Sequence, residues 1–417
     1  MLISLSGGTI CPSWHLEKQD NESPSRRLDF LKEWPVIALK SEFVRRLLLI
    51  VASFLFVLFL FEIPALIQVV DYRTIIGPTH AWWAPNITDP ELLHIHRPHA
   101  HQSGTARGGD ISTVFQIPPS DLTQFRWDVT YDHNGFRNET DLKRADIVVI
   151  GDSFVEGLTV TDAELATSRL AQSQGKVVAN LGQSTYGPLE ELVVLKRYGL
   201  PLQPRTVIWM FSEGSDLTDV THYHRAMQNP PSFWRSYWAR SFSRSAVNEV
   251  RRLFAPHAEK LPGVSHSGIL QTSTGNNVTL YFFNTPSLTQ ENLIALDETA
   301  ATIETAHKLC AAQGARLIFV YVPTKFRVFH SFCRFPQESR CRDWVVSDLP
   351  DRLQKALGSV APEVGYLDLT PALMDAVKAG TLPYYPDDEH WSPEGHKVAA
   401  EVINDYLIST QKQSSPN

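Results

Sequence analysis

A serine and a histidine stand far apart in the sequence, each in a setting that suits acyl transfer. Ser153 follows the apolar run Asp146–Ile150 (DIVVI) and Gly151, which permits a tight turn. A serine hydroxyl is a weak nucleophile and needs a positioned base. His390 lies in the loop DDEHW, and Asp387, three residues earlier, can fix the tautomer of its imidazole. The sequence predicts Ser153 as nucleophile, His390 as base and Asp387 as the orienting carboxylate.

Three neighbouring polar residues have weaker functional interpretations. Asp388 is only two residues from His390, and we interpret it as a solvated loop carboxylate. His396, at the start of the last predicted helix, is interpreted as structural. Lys325 follows a predicted strand in the segment VPTK. It either binds an anionic substrate in the cleft, helps to hold the site, or is a surface cation.

Four imidazoles crowd one short segment of the chain, at His94, His96, His99 and His101. Such a cluster can bind zinc, but residues 94–101 include no cysteine or acidic residue that could serve as a further ligand. We therefore interpret it as part of a solvated linker, and the sequence predicts neither a metal site nor a cofactor. GxSxG, a glycine-rich phosphate loop and HExxH do not occur, which disfavours α/β-hydrolase, NTPase and zincin functions.

The elements that must position these residues alternate between strand and helix. Five short, β-branched runs predict strands that are buried on both faces of a parallel sheet. They are Asp146–Ile150, Lys176–Leu181, Thr206–Phe211, Arg316–Val322 and Gly365–Leu369. Helical patterns occupy Ala163–Ser173, Pro188–Tyr198, Asn292–Gln313, Pro350–Leu357, Pro371–Ala379 and Pro393–Ser409. This order predicts a three-layer α/β/α sandwich around a parallel sheet of about five strands, with reactive loops at the strand C-termini.

Two regions interrupt the alternation. Residues 71–140 are rich in Pro, His, Trp and Gly and predict an irregular lead-in or linker. Residues 217–285 form an insertion within the predicted domain at 141–411, and it carries Trp234, Trp238 and a basic patch at Arg251 and Arg252. Insertions at strand C-termini often build the substrate-facing surface.

The composition of the chain bears on two questions: whether it binds nucleic acid, and whether its cysteines form a disulfide. The 417 residues are 43% hydrophobic and carry a net charge of -7 without a long basic block. Nucleic acid is therefore not an expected partner, because phosphate binding needs clustered Lys and Arg. Cys333 and Cys341 lie close together in CRFPQESRC, which leaves open a local disulfide or two separate thiols.

The run Leu47–Phe61 (LLLIVASFLFVLFLF) has neither a charge nor a helix breaker. With its flanks it predicts a transmembrane signal anchor at residues 45–70. Lys40, Arg45 and Arg46 precede the run, so the positive-inside rule keeps residues 1–44 as a cytoplasmic tail. The remainder of the chain is then expected on the far side of the inner membrane, in the periplasm.

The order of these motifs resembles the SGNH/GDSL hydrolase superfamily. GDSF matches the block that supplies the nucleophile, which implies Ser153 and its backbone N–H as first oxyanion donor. NLGQSTYGP resembles the second block and implies Gly182 as a second donor. DDEHWSPEGH matches the last block, with Asp387 and His390. DHNGFRN, VPTK and YYPDDEHW also resemble the membrane-anchored branch of exopolysaccharide systems, related to the SGNH-like proteins of alginate O-acetylation. The resemblance covers roughly residues 125–410.

The third family block departs from its pattern. Where the family has G-x-N-D, this chain has Glu213-Gly214-Ser215-Asp216, so Ser215 replaces the oxyanion asparagine. Its hydroxyl can still donate a hydrogen bond but reaches less far than an amide. Losing one oxyanion donor lowers the rate by about 10²–10³-fold.

The resemblance implies a serine esterase or O-acetyltransferase that acts on exported or cell-surface polysaccharide through an acyl-enzyme. A transferase would need an acyl donor, which a membrane O-acyltransferase partner would deliver. Two alternatives stay open. A degenerate domain could bind glycan and scaffold an assembly without catalysis, and a lipase or thioesterase would need a broad apolar cleft.

Overall fold

A computed structural model describes residues 42–76, 86–230, 232–254, 260–272 and 275–414. The chain divides into two compact units, Met1–Phe61 and Glu62–Asn417. Of the predicted cytoplasmic tail at 1–44, all but the last three residues lie outside the described residues. The strands are β1 (Asn86–Asp89), β2 (Leu93–His96), β3 (His101–Arg107), β4 (Phe115–Gln116), β5 (Gln124–Thr130), β6 (Ile147–Gly151), β7 (Val178–Gly182), β8 (Thr206–Ser212), β9 (Leu261–Pro262), β10 (Ser267–Gln271), β11 (Asn277–Tyr281), β12 (Arg316–Val322), β13 (Cys333–Arg334) and β14 (Gly365–Asp368).

The helices begin with α1, which extends from the first unit into the second. They are α1 (Glu42–Leu66), α2 (Ile111–Val114), α3 (Ser153–Glu156), α4 (Ala166–Gln174), α5 (Pro188–Val194), α6 (Asp216–Gln228), α7 (Phe233–Arg240), α8 (Phe242–Phe254), α9 (Gln290–Ala312), α10 (Lys325–Phe329), α11 (Leu349–Val360), α12 (Thr370–Lys378) and α13 (Pro393–Ser414). Within the part of the chain that the structure describes, α1 alone is long and apolar enough to cross a membrane, with a mean hydropathy of 2.6. It overlaps the anchor predicted at 45–70.

A five-stranded parallel sheet forms the centre of the second unit, in the order β14-β12-β8-β6-β7. The sheet confirms the predicted fold class, and each strand begins and ends within two residues of its predicted bounds. The chain enters at β6, adds β7 on one side and then crosses to β8 on the other. Parallel sheets bind ligands in the crevice at such a reversal, outside the strand C-termini. Ser153 follows the C-terminus of β6 and therefore lies at that crevice.

Helices cover both faces of the sheet, as buried parallel strands require. Alternate strand residues pack in opposite directions, so Val148 and Ile150 enter one core and Ile147 and Val149 enter the other. The first core is closed by α5, α6, α9 and α11. The second is closed by α4, α10, α12 and α13. The two cores fix β6 from both sides and hold its C-terminal turn in place.

The lead-in at 71–140 differs from the predicted irregular linker. Two antiparallel hairpins occupy it, β1 with β2 and β3 with β5. The second hairpin has its own apolar cluster of Trp127, Val129 and Tyr131. This segment belongs to the same compact unit as the sheet. Its strands were missed because they are short and rich in polar residues, as in HQSGTAR of β3.

The insertion at 217–285 contains most of α6, all of α7 and α8, and the antiparallel pair of β10 and β11. β13 joins that pair on the other edge of β10. Cys333 and Cys341 are both free thiols, so the structure contains no disulfide between them. Burial raises the pKa of each thiol to about 12, which keeps both protonated and unreactive.

Candidate active site

Ser153 is presented by the turn that joins β6 to α3. Asp152 caps α3 by accepting the backbone N–H of Phe154 at 2.9 Å. Ser153 is the first residue of the helix, where a backbone N–H has no acceptor inside its own helix. The N–H and the hydroxyl of the same residue thus lie at the crevice, which suits the predicted roles of nucleophile and oxyanion donor.

His390 joins the serine to a carboxylate. Its Nε2 lies 2.9 Å from Ser153 Oγ. Its Nδ1 lies 2.7 Å from Asp388 Oδ1, and the same oxygen accepts the backbone N–H of His390 at 2.8 Å. Asp388 is 2% exposed. The three side chains have the relative positions that a nucleophile, a base and an orienting carboxylate require.

The carboxylate in this chain is Asp388, and the structure corrects the prediction of Asp387. Asp387 Oδ2 instead accepts the backbone N–H groups of Gly109 and Thr123, each at 3.1 Å. The loop curves so that Asp387 points toward the lead-in while Asp388 faces the imidazole. Asp388 is consequently a buried member of the site rather than a solvated loop residue.

The lead-in contacts residues 386–391, here called the histidine loop, from the opposite side. The Asp110 backbone N–H donates to Asp388 Oδ2 at 2.9 Å, and Asp110 Oδ1 accepts the N–H of Glu389 at 3.1 Å. A Cβ on Gly109 would lie 2.5 Å from the Asp387 carbonyl oxygen, so the approach needs glycine. Among the described residues, Asp110, Asp388 and His390 place possible metal ligands within 4.8 Å of one another. Their hydrogen bonds already serve the histidine loop.

The charge around His390 favours the imidazolium. Burial opposes that charge, but the carboxylate and hydrogen bond of Asp388, helped by Asp110 and Asp152, raise the pKa of His390 to about 10. The same interaction lowers the pKa of Asp388 against the effect of burial. A serine hydroxyl can be deprotonated only by the neutral imidazole, so this pKa bears directly on the pH dependence of any reaction here.

Lys325 does not face the cleft as a substrate ligand. Its side chain is fully buried, and Nζ donates to the carbonyl oxygens of Tyr281, Pro386 and Asp388 at 2.6, 2.8 and 3.1 Å. Burial lowers the pKa of Lys325, and the nearby Glu389 carboxylate partly opposes that. Lys325 therefore helps to hold the site. Its ammonium donates both to two carbonyls of the histidine loop and to the carbonyl of Tyr281 at the end of β11.

Two of the three predicted oxyanion donors are engaged elsewhere. The Gly182 N–H donates to Asn180 Oδ1 at 2.9 Å. A Cβ on Gly182 would lie 2.4 Å from the Glu156 nitrogen, so this glycine is needed for the packing of α3 on β7. The Ser215 hydroxyl donates to Asp152 Oδ2 at 2.8 Å and supports the cap of α3. The structure corrects both predictions and leaves the N–H of Ser153 as the predicted donor in place.

The cleft beside Ser153 has a volume of about 560 Å³. His94 and His96 of the lead-in line it, together with Ser236, Ala239 and Arg240 of α7 and several other residues. The insertion was expected to build this surface, and α7 does so. The contribution of the lead-in was not anticipated, since nothing in its sequence indicates contact with residues so distant along the chain.

A buried polar network forms the floor of the cleft. His96 Nε2 lies 2.6 Å from Glu156 Oε1, which also accepts the Tyr131 hydroxyl at 2.8 Å. Burial alone would raise the pKa of Glu156, but His96, Ser184 and Tyr131 lower it to about 2. Gln183 Nε2 lies 2.7 Å from His96 Nε2. Glu156 lies on the same short helix as Ser153, so the network anchors α3.

The four histidines of the lead-in separate in the structure. His94 and His96 line the cleft, and burial lowers the pKa of His94 to about 4. His99 and His101 are exposed, at 3.8 Å from Asp141 and 3.6 Å from Asp128. His396 is buried and accepts the Ala166 N–H at 3.3 Å, which agrees with a structural role at the start of α4.

The C-terminal third of the chain is similar in sequence to a known protein family. Residues 280–416 match the family described as ALGX, SGNH hydrolase-like domain, acetyltransferase AlgX. This part of the chain is similar to an SGNH hydrolase-like domain. The matched range includes Lys325, Asp388 and His390, and it begins after Ser153. The resemblance stated from the sequence motifs is thereby confirmed.

Solved structures similar to this chain include a GDSL-like lipase from Bacteroides thetaiotaomicron VPI-5482. It is 14% identical with a TM-score of 0.32 over 64% of this chain and 89% of that one. Another is a catalytic mutant of Axe2, an acetylxylan esterase from Geobacillus stearothermophilus. It is 13% identical with a TM-score of 0.32 over 63% of this chain and 94% of that one. No curated protein sequence matches the chain.

Proposed function

We propose that this protein is a serine-dependent acyl-ester hydrolase or O-acetyltransferase with Ser153 as nucleophile. The observation that carries the proposal is the continuous hydrogen-bonded line from Asp388 through His390 to Ser153, with distances of 2.7 and 2.9 Å. A line of this kind transfers the serine proton to the imidazole while the carboxylate stabilises the imidazolium.

The reaction would proceed in two balanced steps. Ser153 Oγ attacks the ester carbonyl, and His390 Nε2 takes the hydroxyl proton. The Ser153 N–H stabilises the tetrahedral oxyanion, and His390 returns the proton to the departing alcohol. In the second step an acceptor hydroxyl gives its proton to His390 and attacks the acyl-serine; the bond from the acyl carbon to Ser153 Oγ then breaks, and His390 passes the proton to Ser153 Oγ. Water as acceptor makes an esterase, and a sugar hydroxyl makes a transferase.

The substrate we propose is an O-acetylated or acetyl-accepting polysaccharide outside the cytoplasm. The family match to an acetyltransferase domain supports acetyl as the acyl group. The apolar helix α1 supports an inner-membrane anchor with the SGNH domain in the periplasm. In a transferase, the acetyl donor would come from a separate membrane O-acyltransferase.

A second candidate function has its own support. Because Gly182 and Ser215 donate their hydrogen bonds elsewhere, the oxyanion site is poorer in donors than the family pattern implies. Each lost donor lowers the rate by about 10²–10³-fold. This feature favours a degenerate SGNH domain that binds glycan and scaffolds an assembly without turnover.

The two functions are separated by labelling and turnover of the full chain in detergent. We expect a fluorophosphonate to label the wild type and not Ser153→Ala, and p-nitrophenyl acetate to release acetate only with the wild type. The exposed Ser173→Ala variant is the control and should behave as wild type. Transfer of acetyl to an added oligosaccharide would establish a transferase. Absence of both labelling and turnover would contradict catalysis and favour the scaffold.

A further inference from the structure

The helix α8 has an apolar side that faces away from the protein. Val247, Val250 and Phe254 recur at intervals of three and four residues, so they share one side of the helix. All three are exposed, Phe254 to 84%. The residue buried against the domain is Ser245, which lies on the opposite side of the helix. An amphipathic helix on a soluble protein normally has the reverse orientation.

The neighbouring helix α7 has two sides with different surroundings. Ser236, Ala239 and Arg240 line the cleft. With 3.6 residues per turn, Trp234 and Trp238 fall on the other side. They are 69% and 53% exposed. Tryptophan is enriched at membrane–water interfaces, where its ring sits at the level of the headgroups.

The start of α8 is hydrogen-bonded to Glu62, the residue that follows the apolar run Leu47–Phe61. The Glu62 carboxylate accepts the backbone N–H groups of Phe242 and Ser243, at 3.2 and 2.7 Å. A carboxylate there caps the helix and complements its dipole. Glu62 lies in the last part of α1, four residues before the helix ends at Leu66, so the start of α8 is hydrogen-bonded to the C-terminal end of the helix that could cross a membrane.

Basic residues border the apolar side of α8. Arg244 and Arg251 are exposed and lie next to the apolar side, while Arg252 pairs with Glu249 at 2.5 Å farther round the helix. A basic amphipathic helix with exposed apolar and aromatic side chains is typical of a segment lying in the plane of an anionic bilayer surface.

We propose that α7 and α8 dock on the lipid bilayer through the side chains of Trp234, Trp238, Val247, Val250 and Phe254, here called the docking surface. The occupant is the lipid headgroup region, because the surface is helical, is bordered on one edge by Arg244 and Arg251, and is hydrogen-bonded at the start of α8 to Glu62 of α1. Docking places α7 between the bilayer and the cleft, so the cleft opens beside the membrane. It uses the proposed membrane anchor and does not depend on the proposed chemistry.

The test is depth-dependent tryptophan quenching of the full chain in phosphatidylcholine–phosphatidylglycerol vesicles. Phosphatidylcholine brominated on its acyl chains quenches only tryptophans that reach the lipid. We expect the double variant Trp234→Tyr/Trp238→Tyr to lose a bromolipid-quenched part of the emission that the wild type shows. A second variant, Val247→Glu/Val250→Glu, should reduce that quenching and expose both tryptophans to aqueous iodide.

The matched control is Asn248→Glu, which adds one charge on the exposed polar side of α8 and should leave the quenching unchanged. Bromolipid quenching that is the same with and without Trp234 and Trp238 would overturn the proposal. The proposal would also be overturned if both tryptophans were protected from iodide by a protein partner, detected by cross-linking, and not by lipid. Ser153→Ala should retain the quenching, so failure of the proposed chemistry and failure of docking are distinguishable.

Discussion

At the scale of single residues, the imidazole of His390 is hydrogen-bonded to the Asp388 carboxylate, and other groups fix the position of that carboxylate. Asp388 accepts the N–H groups of His390 and Asp110 in addition to the imidazole, and its own carbonyl oxygen accepts from Lys325. A carboxylate with several fixed donors cannot turn away from the ring. The tautomer with Nδ1 protonated is therefore preorganised, and Nε2 is left to accept the proton of Ser153.

Asp388→Asn should reduce kcat far more than Asp387→Asn. An amide at 388 can present its N–H₂ to the ring and favour the wrong tautomer, and a loss of about 10³–10⁴-fold follows from the triad mechanism. Asp387→Asn keeps an oxygen for the N–H groups of Gly109 and Thr123, so it should lower the stability by about 1 kcal/mol and retain most of kcat. Acetate release at saturating substrate, with thermal melts, measures both. The opposite ranking would restore the Asp387 prediction.

The raised pKa of His390 predicts alkaline activity. Only the neutral imidazole acts as base, and the Asp388 carboxylate favours the charged form, so kcat/KM should still be rising above pH 8. Asp110→Asn removes a carboxyl group that favours the imidazolium, so it should move the rising limb to lower pH. Rates of 1-naphthyl acetate hydrolysis across pH, corrected with Ser153→Ala, provide the profile. A plateau already reached below pH 7 would contradict the assignment of His390.

The motif spacing predicted that Ser153 and His390 meet, but it did not predict how the loop that carries His390 turns. Ser153 and His390 could be paired because one follows the first strand of the sheet and the other precedes the last helix. The choice between Asp387 and Asp388 depends on backbone dihedral angles and on N–H groups supplied by Gly109 and Asp110. Those donors lie 278 residues upstream, where no local pattern in the sequence indicates them.

At the scale of elements, a single buried cation secures the histidine loop. Lys325 begins α10 immediately after β12, and its ammonium reaches the carbonyls of Tyr281, Pro386 and Asp388. Leaving a buried acceptor without a donor costs about 1–3 kcal/mol. The loop that carries both Asp388 and His390 is therefore coupled to β11 and β12.

Lys325→Met should unfold more easily and should also lose activity. The variant keeps the apolar volume but removes three hydrogen bonds, and we expect a loss of about 2–4 kcal/mol in unfolding free energy. Urea denaturation measures the loss, and kcat should fall at temperatures where the variant is still folded. The exposed Lys355→Met is the matched control and should be neutral. Equal stability of the two variants would contradict this account of Lys325.

The elements differ in how far the sequence predicted them. The five central strands were predicted well because buried parallel strands are continuous β-branched runs. The hairpins of the lead-in were missed because their alternation is carried by polar residues such as those of β3. The side of α7 that lines the cleft could not be predicted, since its position depends on tertiary packing.

At the scale of the whole molecule, burial of carboxyl groups makes folding depend on pH. Burial raises the pKa of Glu190, on α5, and of Asp219, on α6, each to about 8. Between pH 4.5, the ordinary value for Glu, and about 8, the folded protein keeps protons that the unfolded chain has released. The stability that these groups contribute is therefore present in acid and is lost as the pH rises through that window.

Glu190→Gln combined with Asp219→Asn should flatten this dependence. Uncharged amides have no proton to release, so the variant should lose less melting temperature than the wild type between pH 5 and pH 8, by the linkage relation. Thermal melts across that range, monitored by circular dichroism, measure the slope. The exposed Glu401→Gln should retain the wild-type slope. A double variant with the full wild-type slope would show that other groups cause it.

The hydrogen bonds between the lead-in and the histidine loop also bear on the order in which the site assembles during folding. The histidine is synthesised 237 residues after the serine beside which it lies, and its loop accepts hydrogen bonds from N–H groups made 278 residues earlier. Contacts this distant in sequence form late in folding. A nascent chain that has not yet reached His390 therefore carries Ser153 without the imidazole that lies beside it in the folded protein. The arrangement of Ser153, His390 and Asp388 is therefore complete only after the chain through His390 has been synthesised and has packed against the lead-in.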